Sequence, residues 1–426
     1  MIDRAGGGDA GRPPRPPERA ERAEVRDPAV PLVRNVVALF IGVLLWTTCH
    51  FGVLAVLPLF LHDQGWNVRA IGFALGASGV AQVCVRPFAG WIADAFGRRV
   101  PLALALVLLC MATLLLLFPL SSLSPADWAI LANRVLTGIA FSVGTTAFYT
   151  LTVESAPAAR RSEIQGYVGL GMTLGIGLGP PIAIALYHGL SGGNAAPADR
   201  LATLAAATAI VALLSGACFL ATVSAFRPLG RAHPFSLRTP FRRAGVPAAF
   251  LNFCTQVPYT GFSAFLPLWA LGRGVGNPGL LFVSSQVGSV ASRFFGGRLA
   301  DRRGHRAVLV PAMIGAAATL AATSVVAGLP SFLLLAAAYG VFYGVSVVVL
   351  LSVAAEAAPP EERSAVINTY GLGSDLAQLL GPWGLGLAAG MWGLRGALVV
   401  AGAVPLVGAT VFLLTRKAPG PAGPTR

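Results

Sequence analysis

Charge is what this sequence has least of. Only 11% of its 426 residues are Asp, Glu, Lys or Arg, against about 25% in a typical soluble domain. Lysine is almost missing: Lys417 is the only one. Cysteine is sparse too. Cys49, Cys84, Cys110, Cys218 and Cys254 all lie inside apolar runs, form no C-x-x-C and are odd in number. That pattern excludes a disulfide framework and a paired zinc site, and it reads as small buried apolar residues. No phosphate-binding P-loop, zinc-ligand spacing or nucleophile elbow occurs, so ATP hydrolysis, metal chemistry and acyl transfer have no visible machinery. The stretch 1–34 lacks an apolar core and cannot be a cleavable signal. Its Arg, Pro, Gly and Glu predict a solvated, disordered tail.

What the chain has instead is grease. Hydrophobic residues make up 55% and mean hydropathy is +0.72. They fall in runs of about 20 residues or more, the length that crosses a bilayer core as a helix. The 51 glycines and 31 prolines are compatible with this, since both are commoner in membrane helices than in soluble ones. Twelve spans are expected, at about 36–61, 69–93, 100–120, 126–153, 163–188, 201–225, 247–272, 277–300, 304–328, 330–355, 364–390 and 393–415. The stretch 226–246 between the sixth and seventh carries five arginines and no acid. The expected organisation is a tail at 1–35, a six-helix bundle at 36–225, a central loop at 226–246, a second bundle at 247–415 and a tail at 416–426. The formal net charge of +14 sits in short loops between spans, so nucleic acid is not an expected partner. The bilayer is.

Twelve spans put both termini on one side. That side carries 24 of the 31 basic residues, the opposite side four (Arg69, Arg200, Arg273 and Arg395), and three (Arg86, Arg134 and Arg293) fall within spans. The positive-inside rule then places both termini and the central loop in the cytoplasm of a cell bounded by this membrane.

The two halves repeat one another in the same order. His50-Phe51-Gly52 with Leu57-Pro58-Leu59 returns 209 residues later as Tyr259-Thr260-Gly261 with Leu266-Pro267-Leu268. Gly90 to Arg99 returns 207 residues later as Gly297 to Arg306, and Arg86 and Arg293 keep that offset. At an offset of 202, Glu154, Pro157, Arg161, Ser162, Gly169, Gly171, Gly179 and Pro180 meet Glu356, Pro359, Arg363, Ser364, Gly371, Gly373, Gly381 and Pro382. A parallel six-plus-six repeat is an architecture of alternating access, with the substrate between the halves near the midplane.

These residues resemble the major facilitator superfamily over about 36–415. The stretch Gly90, Asp94, Gly97, Arg98 and Arg99, echoed by Gly297, Asp301, Gly304 and Arg306, is similar to its motif A. Arg134-x-x-Thr137-Gly138 is similar to motif B, with Thr137 in place of the usual Gln. Gly166, Gly175, Gly179 and Pro180 look like motif C, without its closing glycine pair: Ala183 and Ile184 stand there. The resemblance implies an all-α membrane fold of two pseudo-symmetric bundles. It also implies a motif A latch that is broken in one conformation, and proton-driven exchange of drugs or metabolites. Asp94, with Arg86, Arg98, Arg99 and Arg293, and Glu154 and Glu356 at the ends of spans 4 and 10, are candidate members of that latch. The span 5 glycines are also what close helix packing requires.

A charge at mid-bilayer needs a reason. Asp375 lies well inside span 11 and is a candidate proton carrier, a substrate contact or half of a structural pair. Its repeat mate is Thr173. Arg134, whose mate is Ala336, keeps its charge and could tune a nearby acid or attract an anion. His50 titrates near neutral pH or is a packing residue. Polar residues offered to a central cavity are Thr47, Gln82, Thr145, Tyr149, Asn252, Gln256, Tyr259, Gln286, Tyr339, Tyr343 and Asn368, a mixture suited to amphipathic organic molecules. The expectation is a monomeric secondary transporter without cofactor or metal, exporting such molecules against protons. Proton-coupled import of a sugar, organic acid or other nutrient is the alternative.

Overall fold

The computed structural model describes residues 29–96, 99–117, 125–154, 160–189, 196–223, 241–358 and 363–415. The first half contains α1 (Ala29–Asp63), α2 (Val68–Phe96), α3 (Arg99–Leu115), α4 (Pro125–Glu154), α5 (Arg161–Gly189) and α6 (Pro197–Val223). The second contains α7 (Val246–Ala264), α8 (Leu266–Leu271), α9 (Leu280–Arg303), α10 (His305–Thr323), α11 (Leu329–Glu356) and α12 (Arg363–Leu414). Two departures from a simple twelve reconcile these with the expected spans. Span 7 is broken at Phe265 into α7 and α8, just before Pro267. Spans 11 and 12 run on as α12 and part at Gly393, whose φ of 71° is left-handed and open to glycine at no steric cost. Gly304, at φ 83°, makes the same kind of break between α9 and α10.

Eight described helices are long and apolar enough to cross a membrane, and α12 is long enough to do so twice. The rest of the twelve are the shorter α3, the broken α7–α8 and α9, which is the least apolar. Low apolarity in α9 fits a helix that faces its partners and a wet interior more than lipid.

The two bundles are built alike at atomic detail. A side chain at Gly138 in α4 would strike the carbonyl of Ser78 in α2; one at Gly340 in α11 would strike the carbonyl of Ser285 in α9. Gly171 of α5 lies on the Phe40 carbonyl of α1, and its mate Gly373 of α12 lies on the Ala249 carbonyl of α7. Glycine is required at such positions because helix backbones touch there.

The bundles meet along two seams at the end away from the termini. In one, α2 packs on the first part of α12. Gly72 faces Pro382 and Gly386, Trp383 stacks on Phe73 at 5.2 Å and donates Nε1–H to its carbonyl at 3.0 Å, and Arg69 donates to the Gly390 carbonyl at 3.1 Å. In the other, α5 packs on α9. Asn277 donates to the Pro181 carbonyl at 3.2 Å, Gly279 lies on Pro181, and Gly177 faces Gln286. The terminus-bearing end is open by contrast. A side chain at Gly166 or Gly169 on α5 would meet nothing within 4 Å, and Tyr149, Tyr167, Phe294 and Phe295 are exposed.

Candidate functional site

The deepest link between the bundles is an ion pair. Asp375, one turn beyond Gly371 in α12, is buried and receives both Nε–H and Nη2–H of Arg86 in α2, the latter at 2.7 Å to Oδ1. Two parallel charge-assisted bonds are the strong form of this interaction, and the planar fork fixes geometry as well as energy. Gly371 makes the space: a Cβ there would come within 2.9 Å of Arg86 Nη1. Arg86, which the sequence offered to the motif A latch, is bound to Asp375. The aspartate is not a solitary acid but half of a bidentate pair.

Arg134 is elsewhere. It is buried in the first bundle, donates Nη2–H to Ser78 Oγ at 3.0 Å, and has no partner for Nε or Nη1 among the described residues. The His50 ring lies over Phe141 at 4.6 Å, and Phe141 also stacks on Trp46 at 5.5 Å. His50 is thus packed among aromatic rings, a setting that the sequence alone did not show.

The second bundle presents tyrosines. Tyr259 and Tyr343 stack at 4.9 Å with 14° between planes, and Tyr339 stacks on Phe262 at 5.2 Å. Tyr343 donates its hydroxyl hydrogen to Gln256 Oε1 at 2.7 Å, while the Tyr259 and Tyr339 hydroxyls have no partner among the described residues. Tyr149 of the first bundle is exposed and donates its hydroxyl hydrogen to Met172 Sδ at 3.2 Å.

Other expected residues fall differently. Asn252 is a brace, donating to the Tyr370 carbonyl at 3.0 Å and to Ser374 Oγ at 2.8 Å, which ties α7 to α12. Thr47 and Thr145 bond their own helices at the Val43 and Phe141 carbonyls. Gln82 is buried, Gln286 is in the α5–α9 seam, and Asn368 is engaged in contacts of its own. Of the motif C residues, Gly175 and Gly179 seat α5 on Thr47 and the Thr48 carbonyl of α1, with Pro180 inside the helix; Gly166 touches nothing. In the second motif A stretch, Gly297 is loosely packed and Asp301 is exposed without an ion-pair partner among the described residues. Arg306 donates to the Thr415 carbonyl and sits over Phe412. Glu356, offered as an arginine partner, lies 3.7 Å from His305 instead. Gly97 and Arg98 lie outside the described residues, as do the side chains of Asp94, Arg99 and Glu154 and the environment of Gly90. An apolar groove between α1 and α6, lined by Val37, Ile41 and Cys218, is remote from all of these groups.

Solved structures share this architecture. A POT family transporter in complex with 5-aminolevulinic acid superposes with a TM-score of 0.73 at 12% identity, covering 89% of this chain and 96% of that one. Among curated proteins, the quinolone resistance protein NorA of Staphylococcus aureus is 23% identical over 151 residues, 35% of this chain and 36% of NorA. The staphylopine export protein of the same organism is 22% identical over 276 residues, 60% of this chain and 64% of that protein. The chain thus matches less than two thirds of the length of either curated relative. The profile of the Major Facilitator Superfamily, however, matches residues 39–284 and 248–426, nearly the whole membrane portion. With two like bundles, helix-on-helix glycine contacts in matching places and multiple membrane spans, the chain belongs to the Major Facilitator Superfamily.

Proposed function

We propose that this protein is a proton-driven exporter of small amphipathic molecules in the plasma membrane, working as a monomer by alternating access. The observation that carries the reading is the Arg86–Asp375 pair, a buried ionisable link between the two bundles at the level where their interface opens. A proton on Asp375 removes its charge, weakens the bidentate bond and frees Arg86. The α2–α12 seam then has less to hold it, and the balance between the two rocking states shifts. Coupling needs only this differential: one state favours the charged pair, the other the protonated acid. Residues 36–225 and 247–415 are the moving bodies, joined by the loop 226–246. The loop arginines set the termini and the open end toward the cytoplasm. Asp94 and Asp301 would then brace that face in the opposite state. The likeness to a staphylopine export protein supports the direction.

The test is accumulation of dyes and antibiotics in an efflux-deficient bacterium producing wild type or Asp375→Asn, with and without an uncoupler. Wild type should lower cell content of at least one compound, the uncoupler should abolish this, and the variant should fail at normal membrane levels. Normal export by the variant would remove Asp375 from coupling. An uncoupler that lowers the content instead would mark import.

A further inference from the structure

The two seams are related by the internal repeat, and they are not finished alike. Arg86 of α2 has Arg293 of α9 as its mate; Asp375 of α12 has Thr173 of α5; Gly371 has Gly169. In the first seam all three members are engaged: the guanidinium lies against Gly371 and binds Asp375. In the second, the acid is replaced by a threonine whose hydroxyl bonds the Gly169 carbonyl at 3.0 Å. The slot at Gly169 is open, with nothing within 4 Å. Arg293 is left exposed and has no ion-pair partner among the described residues.

Depth makes this unusual. Arg293 is 13 residues from the start of α9 and ten from its end, or about 20 Å and 15 Å along the axis. A lipid-facing guanidinium at that depth would be costly, so a wet cavity is where it belongs. Gln286, two turns before Arg293 on the same face of α9, meets Gly177 of α5, so Arg293 is on the face of α9 turned to the opposite bundle. The charge balance points the same way. Apart from Asp375, every acid of the spans sits at a helix end, whereas Arg86, Arg134 and Arg293 are all interior. Asp375 neutralises Arg86. Arg134 is buried inside the first bundle, and Arg293 is left to give the interface a positive charge that favours anions and disfavours cations.

We propose that Arg293 is the anchor for the negative group of an aromatic organic anion, whose ring rests against Tyr149 and Tyr167, the exposed tyrosines of the open end. The anion occupies the role that Asp375 plays for Arg86. A guanidinium offers a planar fork to a carboxylate, and the tyrosine faces offer apolar area with hydroxyls at the edge. This names the substrate class of the exporter proposed above and so rests on that reading for its transport role, but not for its binding.

The test uses the full chain in lipid nanodiscs without an ion gradient, by equilibrium dialysis at low salt. The probes are three of one shape: 1-naphthoate, neutral 1-naphthamide and cationic 1-naphthylmethylammonium. Naphthoate should bind about tenfold or more tighter than either of the others, as a charge-assisted bond implies. Arg293→Gln should erase that preference, and Arg293→Lys should keep most of it. The inference falls if the amide or the cation binds as tightly as naphthoate, if Arg293→Gln retains the preference, or if naphthoate does not bind at millimolar concentration. Export driven by protons is read separately, by uncoupler response in cells. A wild type that shows no anion preference but keeps uncoupler-sensitive export would overturn the substrate class alone.

Discussion

The α2–α12 seam and the α5–α9 seam share a template but differ at the level of the cavity. Both are tight at the end away from the termini, with Gly72 on Pro382 in one and Gly279 on Pro181 in the other. Farther in, the first is tied by Arg86 and Asp375, and the second has no such ion pair among the described residues. The lesson is that a repeat supplies a frame and function enters where its copies diverge. A single exchange, acid for threonine at 375 and 173, turns one arginine into a strut and leaves the other available.

The largest effect should come from breaking the strut unevenly. Arg86→Ala or Asp375→Ala leaves one charge without its partner, which costs about 3–5 kcal/mol at a buried site. Thermal unfolding in detergent should show a marked loss for each single variant and a smaller one for the double. Additive losses would mean that the pair is not coupled. Next comes the glycine that accommodates the guanidinium. Gly371→Ala should displace Arg86 and cost about 1–3 kcal/mol by overpacking, whereas Gly169→Ala, facing open space, should be tolerated. Equal losses at both positions would erase the asymmetry. A control for what the bundles share is Gly138→Ala against Gly340→Ala. Both touch a serine carbonyl of the neighbouring helix, so both should lower stability by a similar amount, again about 1–3 kcal/mol, read as the same shift in melting temperature. The smallest contrast lies among the tyrosines. Tyr343→Phe loses its bond to Gln256, worth about 1 kcal/mol, whereas Tyr259→Phe removes a hydroxyl without a partner and should leave stability unchanged or improved.

Much of the frame could be read from the residues. Apolar runs of span length give the helices, and the offsets of 202 and 207 return in the structure as paired glycine contacts. Asp375 stood out because a lone acid deep in a span is rare. Its partner did not, since Arg86 is 289 residues away and nothing local distinguishes it from Arg134. Asn252 looked like cavity lining because polarity in a span does not say which way a side chain turns; it turns to Ser374 and the Tyr370 carbonyl. Phe141, which covers His50, carried no signal among so many apolar neighbours.

The sequence by itself determined that the chain spans a membrane many times, in two related halves, with three interior arginines and one interior acid. Those facts follow from local composition, since a bilayer demands apolar helices of a set length and charges every exception. Tertiary structure alone decided which arginine meets the acid, which stays free, and which end of the interface is open. Those outcomes depend on how whole helices rotate and cross, and pairing over hundreds of residues leaves no local trace for composition to show.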